Sequence, residues 1–133
     1  MTEAQLHRQA AEYLAVALPP ECVWTTFPAG GGGRVRGAML KAAGLRAGWP
    51  DIQVLHDGKL HCLELKSKAG VVSQEQRDCH RAITRSGGEV YICRSLDDVD
   101  LALQCAGIPL RAHVNASGRG WTRAAGTGAK ARA

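Results

Sequence analysis

Three charged residues have the types and spacing of a hydrolytic metal site. Asp51 begins one strand-like run, while Glu64 and Lys66 stand near the end of the next run with one residue between them. Carboxylate and carbonyl oxygens are the hard ligands that Mg²⁺ prefers. A metal held in this way activates water and stabilises the oxyanion that develops when a phosphodiester is hydrolysed. We therefore expect Asp51 and Glu64 to bind a metal, and Lys66 to orient the attacking water or stabilise the transition state.

A hairpin would bring these residues together. Residues 52–55 and 60–65 are strand-like, and the turn between them contains an Asp-Gly pair at residues 57–58, which favours a tight connection. Antiparallel pairing of the two strands then places Asp51, just before the first strand, beside the end of the second.

The alternation of side chains along the second strand predicts how its residues face. Residues two apart in a strand lie on the same side, so Glu64 and Lys66 project into one cleft while Leu65 points into the core. The Leu65 carbonyl is then left near the metal position, as a third ligand. Two charged residues beside core-like Leu63 and Leu65 also conflict with β-propensity, and such conflicts are typical of functional positions.

The remaining elements are predicted from helix caps, apolar periodicity and turn residues. Thr2 with Gln5, and Ser73 with Gln76, form capping-box patterns that begin two helices. The predicted order is a first helix, a strand at 22–27, a short helix at 37–43, the hairpin, a helix at 74–86, a strand at 89–93 and a last helix at 96–106. This order predicts an α/β fold with a small mixed β-sheet flanked by helices.

The net charge of +5 is unevenly distributed along the 133 residues. Residues 28–50 and 115–133 each contain four Lys or Arg residues and no acidic residue. Such segments attract a polyanion because each neutralised phosphate releases counterions, although they can also serve only to keep a chain soluble. The candidate DNA-binding residues are Arg34, Arg36, Lys41, Arg46 and Lys68.

The composition changes after residue 114. Residues 115–133 are mostly Gly, Ala, Ser, Thr and Arg, with Trp121 as the only large apolar side chain. A segment of this kind buries too little surface to offset its ordering entropy. We expect one domain over residues 1–114 and a flexible basic tail over residues 115–133.

The cysteines and histidines show no redox or metal-binding pattern. The five cysteines include no Cys-x-x-Cys pair, so we expect reduced core residues, and the five histidines include no His-Glu-x-x-His motif, so we expect surface or packed residues. No apolar stretch approaches the roughly 20 residues of a membrane span, and the N-terminus has no secretory-signal pattern. We expect a cytoplasmic protein with no membrane partner.

Four segments carry a resemblance to a known family. They are Gly48-Trp-Pro-Asp51, Cys62-Leu-Glu-Leu-Lys-Ser67, Val72-Ser-Gln-Glu-Gln76 and Gly87-Gly-Glu-Val-Tyr-Ile92. In order and spacing they resemble the VRR-NUC (virus-type replication-repair nuclease) family of the PD-(D/E)xK superfamily. The resemblance implies a restriction-endonuclease-like core of the kind found in Holliday-junction resolvases. It also implies Asp51 and Glu64 as metal ligands and Lys66 as the catalytic lysine.

The resemblance adds two residues to the site. The family's first-helix acid falls on Glu3, which would be a further metal ligand, although a Glu in the first turn of a helix also complements the helix dipole. The family's glutamine falls on Gln76, which would support the lysine or the attacking water. The helix-cap interpretation of Gln76 is compatible with that role.

The resemblance also implies a reaction and an assembly. The expected protein is a phage or bacterial structure-selective endodeoxyribonuclease that uses Mg²⁺ or Mn²⁺ and cuts branched DNA as a homodimer, as a Holliday-junction resolvase does. Two alternatives stay open: a less selective nuclease acting on flaps, nicks or single strands, and a DNA-binding module that does not cut. Candidate dimer surfaces are the last helix around Leu96, Val99 and Leu103 and the first strand around Trp24 and Phe27.

Overall fold

A computed structural model of the chain describes residues 1–27 and 33–124. In chain order their elements are α1 (Glu3–Ala17), β1 (Val23–Thr26), α2 (Gly33–Ala42), β2 (Ile52–His56), β3 (Lys59–Leu65), α3 (Gln74–Arg85), β4 (Glu89–Cys93), α4 (Leu96–Cys105), β5 (Ala112–Val114) and β6 (Trp121–Arg123). Within these residues no helix is both long enough and apolar enough to cross a membrane.

The central sheet has the strand order β1-β2-β3-β4. The first three strands pair antiparallel, and β4 joins β3 in parallel. The β2–β3 hairpin turns at Asp57 and Gly58, whose φ angles of 51° and 77° are both positive, as a tight turn of this type requires. The predicted mixed sheet flanked by helices is confirmed, and so is the hairpin within it.

Side chains of β3 pack on both faces of the sheet. Leu63 and Leu65 join the main apolar cluster, which includes residues of α1 and α4. Cys62 faces the other way and packs with Cys79 and Ile83 of α3. Burying a Leu side chain stabilises a fold by about 1.5–3 kcal/mol, so the alternation along β3 is firmly set by the main cluster. Even-numbered positions of β3 therefore face α3.

The cysteines are free thiols in the part of the chain that the structure describes. The prediction of core residues is confirmed for the four that are buried, which are Cys22, Cys62, Cys79 and Cys93. It is wrong for Cys105, which is exposed because the last residue of α4 faces solvent.

The C-terminal segment differs from the expectation drawn from its composition. β5 and β6 form an antiparallel hairpin, and the Trp121 ring lies 5.5 Å from the Tyr13 ring of α1. The Tyr13 hydroxyl also donates to the Ala112 carbonyl at 2.9 Å. A flexible tail is therefore wrong for residues 115–124, because Trp121 packs on a ring that is distant in sequence. Residues 125–133 lie outside the described residues.

A buried carboxylate fastens this hairpin to α4. Asp100 accepts hydrogen bonds from Val114 N at 2.9 Å and from Gln104 Nε2 at 3.0 Å, and His113 Nδ1 lies 3.3 Å from it. Burial and the nearby Asp100 carboxylate raise the pKa of Tyr13. The hairpin is thus joined to α1 by an aromatic contact and to α4 by hydrogen bonds, although half of it lies beyond the expected domain boundary at residue 114.

Trp121→Ala should lower the free energy of unfolding by about 1–3 kcal/mol, because it removes a half-buried ring that packs on Tyr13. Trp121→Phe keeps an aromatic ring and should lose less. Thr122→Ala, at the exposed neighbouring position, is the matched control and should change stability by less than about 0.5 kcal/mol. Urea unfolding measures these differences, and equal stabilities for Trp121→Ala and Thr122→Ala would show that the ring contact contributes nothing.

Candidate active site

Asp51 lies at the open end of the β2–β3 hairpin. The preceding Pro50 is buried, and the Asp51 carbonyl accepts from Phe27 N at 2.8 Å, which extends the β1–β2 pairing. The Asp51 Oδ2 atom accepts from Leu65 N at 2.8 Å. The carboxylate thus takes the place of a main-chain acceptor for β3, and this contact holds it beside the strand that carries the other two candidates.

Glu64 is a buried carboxylate that is held from α3. Its exposed fraction is only 2%. Gln76 Nε2 donates to Glu64 Oε2 at 3.2 Å, and His80 Nε2 lies 3.0 Å from Glu64 Oε1. Because Cys79 and Ile83 dock α3 on the sheet, the packing of this helix sets both contacts.

Gln76 is at the same time part of the cap of α3. Its Oε1 atom accepts from Ser73 N at 2.9 Å, while Ser73 Oγ accepts from Gln76 N at 3.1 Å. The amide nitrogen of the same side chain is left to donate to Glu64. The helix cap and the contact with the site therefore coexist, and together they hold both ends of the Gln76 amide.

Two carboxyl groups lie close together in a poorly solvated place. The pKa of Glu64 is raised to about 8, first by burial and then by the charge and hydrogen bond of Asp51, while Lys66 lowers it. Burial and the Lys66 charge also lower the pKa of His80. Two carboxylates that repel each other in a low dielectric form a donor set that a divalent cation would stabilise.

Lys66 and Glu3 lie at the edge of this pair. Lys66 is 8% exposed, and its backbone N–H donates to Cys93 O at 3.0 Å, just beyond the last residue pair of β3 and β4. The charge of Glu3, in the first turn of α1, raises the pKa of Glu64 slightly. Its Oε2 atom comes within 3.2 Å of the position that a Cβ atom on Gly70 would take. The structure therefore brings Glu3 to the side of the fold where Glu64 and Lys66 lie.

The basic candidates lie on the surface, some of them directly beside the site. Exposed positions are held by Arg34, Arg36, Lys41, Arg46 and Lys68. The first three are on α2, a helix with no buried side chain. A pocket of about 380 Å³ separates α2 from the site, and its lining includes Lys41, Arg46, Trp49, Asp51 and Gln76. Positive charge thus borders the pocket that Asp51 lines.

Residues 23–97 match the sequence profile of the VRR-NUC domain family. This chain belongs to the VRR-NUC family. A solved structure described as a VRR_NUC domain protein superposes with a TM-score of 0.62, over 79% of this chain and 87% of its own. At 15% sequence identity this likeness shows a common fold. No curated protein matches the chain.

The match confirms the family indicated by the sequence motifs and the fold expected from them. A VRR-NUC domain is a nuclease domain, so DNA is the class of substrate. Nucleases of the PD-(D/E)xK type generally use divalent metals. Within the described residues, no three His, Cys, Asp or Glu side chains form a metal-binding cluster. In this VRR-NUC domain, Asp51 and Glu64 are two carboxyl groups that lie close enough to interact.

The contact between His80 and Glu64 was missed by sequence reasoning. His80 was expected to be a surface or packed residue, and its side chain is indeed only 12% exposed, but its partner is a candidate ligand. A usable signal was its separation of four residues from Gln76, because residues four apart share one helix face. The capping box that identified Gln76 thus also pointed to His80.

Arg94 is a second residue that sequence reasoning missed, and no local pattern marks it. Its Nη1 atom donates to the carbonyl oxygens of Ser67 and Gly70 at 2.9 and 2.7 Å, and lies 3.3 Å from that of Lys68. One guanidinium nitrogen thus holds the turn that follows Lys66 by contacts with its carbonyl groups. This turn also carries the exposed candidate Lys68, so Arg94 sets where that positive charge is presented.

Gly48→Ala should destabilise the VRR-NUC fold by about 1–3 kcal/mol and weaken activity. Gly48 has φ +83°, and a Cβ atom there would lie 2.8 Å from Gln76 N and 2.6 Å from the carbonyl carbon of Glu75. The first turn of α3 must therefore shift, and Gln76 with it. Gly44→Ala is the matched control, because Gly44 has φ +103° but no atom within 4 Å of the added methyl group. If both variants lose the same stability in thermal unfolding, close packing at Gly48 is not the cause.

Glu64→Gln should stabilise the metal-free protein more at high pH than at low pH. The folded protein holds a proton on Glu64 up to a pKa of about 8, whereas an ordinary carboxyl group has lost it above 4.5. The folded state therefore binds more protons between these values, and its stability falls as pH rises through that window. Thermal unfolding in chelator at pH about 5 and about 8.5 measures this, with exposed Glu12→Gln as the control. A gain for Glu64→Gln that is independent of pH would contradict the raised pKa.

Proposed function

We propose that this VRR-NUC domain is an Mg²⁺- or Mn²⁺-dependent, structure-selective endodeoxyribonuclease that cuts branched DNA in the manner of a Holliday-junction resolvase. The observation that supports this most is the buried Glu64 carboxylate next to the partly buried Asp51, with Lys66 nearby and a pocket that Asp51 lines together with basic residues. Membership of a nuclease family and the arrangement of these residues point to the same reaction, phosphodiester hydrolysis.

The residues present fit a hard divalent cation. Asp51 and Glu64 would hold it through carboxylate oxygens, and the Leu65 carbonyl would be the main-chain ligand. Burial and then the charge of Asp51 raise the pKa of Glu64, and such a cation would offset the repulsion between the two carboxylates. When bound, the metal supplies a Lewis acid and makes water a stronger nucleophile near neutral pH. The charge of Glu3 also acts on Glu64 and would strengthen the attraction.

The protein side chains would do the remaining work. Lys66 lies beside Glu64 and brings positive charge to the position where negative charge develops on the phosphate, which stabilises the transition state. Gln76 orients Glu64 by donating to its Oε2 atom. Exposed Lys41 and Arg46 line the neighbouring pocket and would neutralise phosphates on either side of the scissile bond.

Cleavage of branched DNA would require two active sites, which a homodimer provides. A four-way junction is cut on two strands, and one chain with a single cleft reaches one scissile phosphate in each binding event. A two-fold dimer presents two clefts, and such dimers are the commonest closed assemblies. Leu96, Val99 and Leu103 of α4 are buried in the core, so the proposed α4 surface is excluded. The edge strand β1, where Val23 is 69% exposed, is the proposed surface that remains.

Asp51→Asn, Glu64→Gln and Lys66→Ala should each reduce cleavage by about 100-fold or more, because each removes a metal ligand or transition-state charge. Their folded structures should be retained, as judged by circular dichroism. Lys59→Ala is the matched control for the lysine, because Lys59 is exposed and pairs with Glu89 at the far end of β3. The assay uses labelled DNA with Mn²⁺, and cleavage by Glu64→Gln at the unmodified protein's rate would refute the proposed site.

The same assay distinguishes the substrates when duplex, flap, single-stranded and four-way-junction DNAs are compared. The proposal expects the junction to be cut fastest, on two strands, by a particle of twice the chain mass in light scattering. Equal rates on all substrates, or paired cuts by a monomer, would instead support a less selective repair nuclease. Absence of cleavage with any divalent metal would support a DNA-binding module, although the intact set of Asp51, Glu64 and Lys66 speaks against that outcome.

A further inference from the structure

We propose that His80 is a positioning residue that, together with Gln76, fixes the orientation of the Glu64 carboxylate towards a divalent cation. The inference rests on the proposed function, because it assigns a task within the same site. The structural observation behind it is that each of the two Glu64 oxygens has its own partner on α3. Gln76 Nε2 donates to Oε2 at 3.2 Å, and His80 Nε2 lies 3.0 Å from Oε1.

Hydrogen bonds to both oxygens of Glu64 fix its carboxylate, whereas a single hydrogen bond does not. The last torsion angle of a glutamate side chain is broad, so a carboxylate held at one oxygen can still rotate about its terminal bond. Hydrogen bonds to both oxygens define the plane of the carboxylate. Gln76 and His80 are four residues apart, so they rise from the same face of α3 and reach the two oxygens as a pair.

This arrangement leaves room for a metal. An ionised carboxylate offers about four lone-pair sites, so one hydrogen bond at each oxygen leaves further sites open. A neutral ring in the tautomer that carries its proton on Nε2 donates to Glu64 without placing a positive charge beside the cation. A lysine or arginine in the same position would compete with the metal.

The fold of α3 does not depend on the imidazole ring. Cys79 and Ile83 hold the helix on the sheet, and the cap at Ser73 holds its first turn. The backbone carbonyl of His80 accepts from Thr84 Oγ1, a contact that any residue could make. Removing the ring should therefore alter the carboxylate more than the helix, and this separates a positioning role from a structural one.

The experiment measures metal binding without DNA and without turnover. Mn²⁺ is titrated into the metal-free full-length protein, and free Mn²⁺ is followed by electron paramagnetic resonance. His80→Leu, which has similar bulk but no donor, should weaken Mn²⁺ binding by about 10- to 100-fold, as loss of a ligand's hydrogen-bonding partner does. His80→Gln, which restores an amide donor, should recover most of the affinity. His56→Leu, a histidine at the far end of β2, is the matched control and should bind as the unmodified protein does.

Several outcomes would overturn the inference. A folded His80→Leu protein with undiminished Mn²⁺ affinity would do so, and so would a failure of His80→Gln to bind more tightly than His80→Leu. If His80→Leu does not fold, His80→Asn replaces it, because its shorter amide should not reach Glu64, and equal affinities for the Asn and Gln variants would then count against the inference.

Parallel titrations of Asp51→Asn and Glu64→Gln test the metal site separately from the role of His80. If they bind Mn²⁺ as the unmodified protein does, the proposed metal site itself is wrong. If they lose binding while His80→Leu keeps it, the metal site stands and only the role of His80 is refuted.

Discussion

The register of the β2–β3 hairpin decides which side chains of β3 meet the core and which meet α3. Ile52 pairs with Leu63, so Asp51 comes level with Glu64 and its carboxylate reaches the N–H of Leu65. A shift of one residue would turn Glu64 into the apolar α1–α4 cluster and Leu65 towards α3. Burial of the leucines and the tight turn both oppose that shift, and the site inherits its geometry from this register.

The buried Glu64 carboxylate lowers the stability of the metal-free fold, and hydrogen bonds from α3 offset part of that cost. Burying Glu64 next to Asp51 raises its pKa to about 8, which means that its ionised form is disfavoured in the fold. Gln76 and His80 supply hydrogen bonds to a group that has lost most of its contact with water. Such local conflicts persist where function requires them, and here they would be relieved by a divalent cation.

The helices divide their tasks along the chain. α1 and α4 cover one face of the sheet, and the β5–β6 hairpin is fastened to both by Tyr13 and Asp100. α3 covers the other face and contacts the carboxylate. α2 buries no side chain, and its Lys41 lines the pocket that Asp51 also lines. The elements that position the chemistry are thus packed, whereas the element expected to meet DNA is exposed.

Local sequence patterns determined much of this protein. The two capping boxes predicted where α1 and α3 begin, and the Asp-Gly pair predicted the β2–β3 turn. Alternation along β3 predicted that the side chains of Glu64 and Leu65 lie on opposite faces of the sheet, and the family motifs predicted that Gln76 lies near the site. These features depend on residues within a few positions of one another, or on an antiparallel pairing that a short turn enforces.

Contacts between distant residues were decided only by the tertiary structure. Tyr13 and Trp121 lie at opposite ends of the described chain, and no composition rule could pair them or predict that residues 115–124 fold. The burial of Leu96, Val99 and Leu103 likewise depended on which side of α4 faces α1 and the sheet. The periodicity of a sequence specifies which side chains share one face of a helix or strand. What that face contacts depends on how the elements pack, because the packing energy is a sum over contacts between segments that are far apart in the chain.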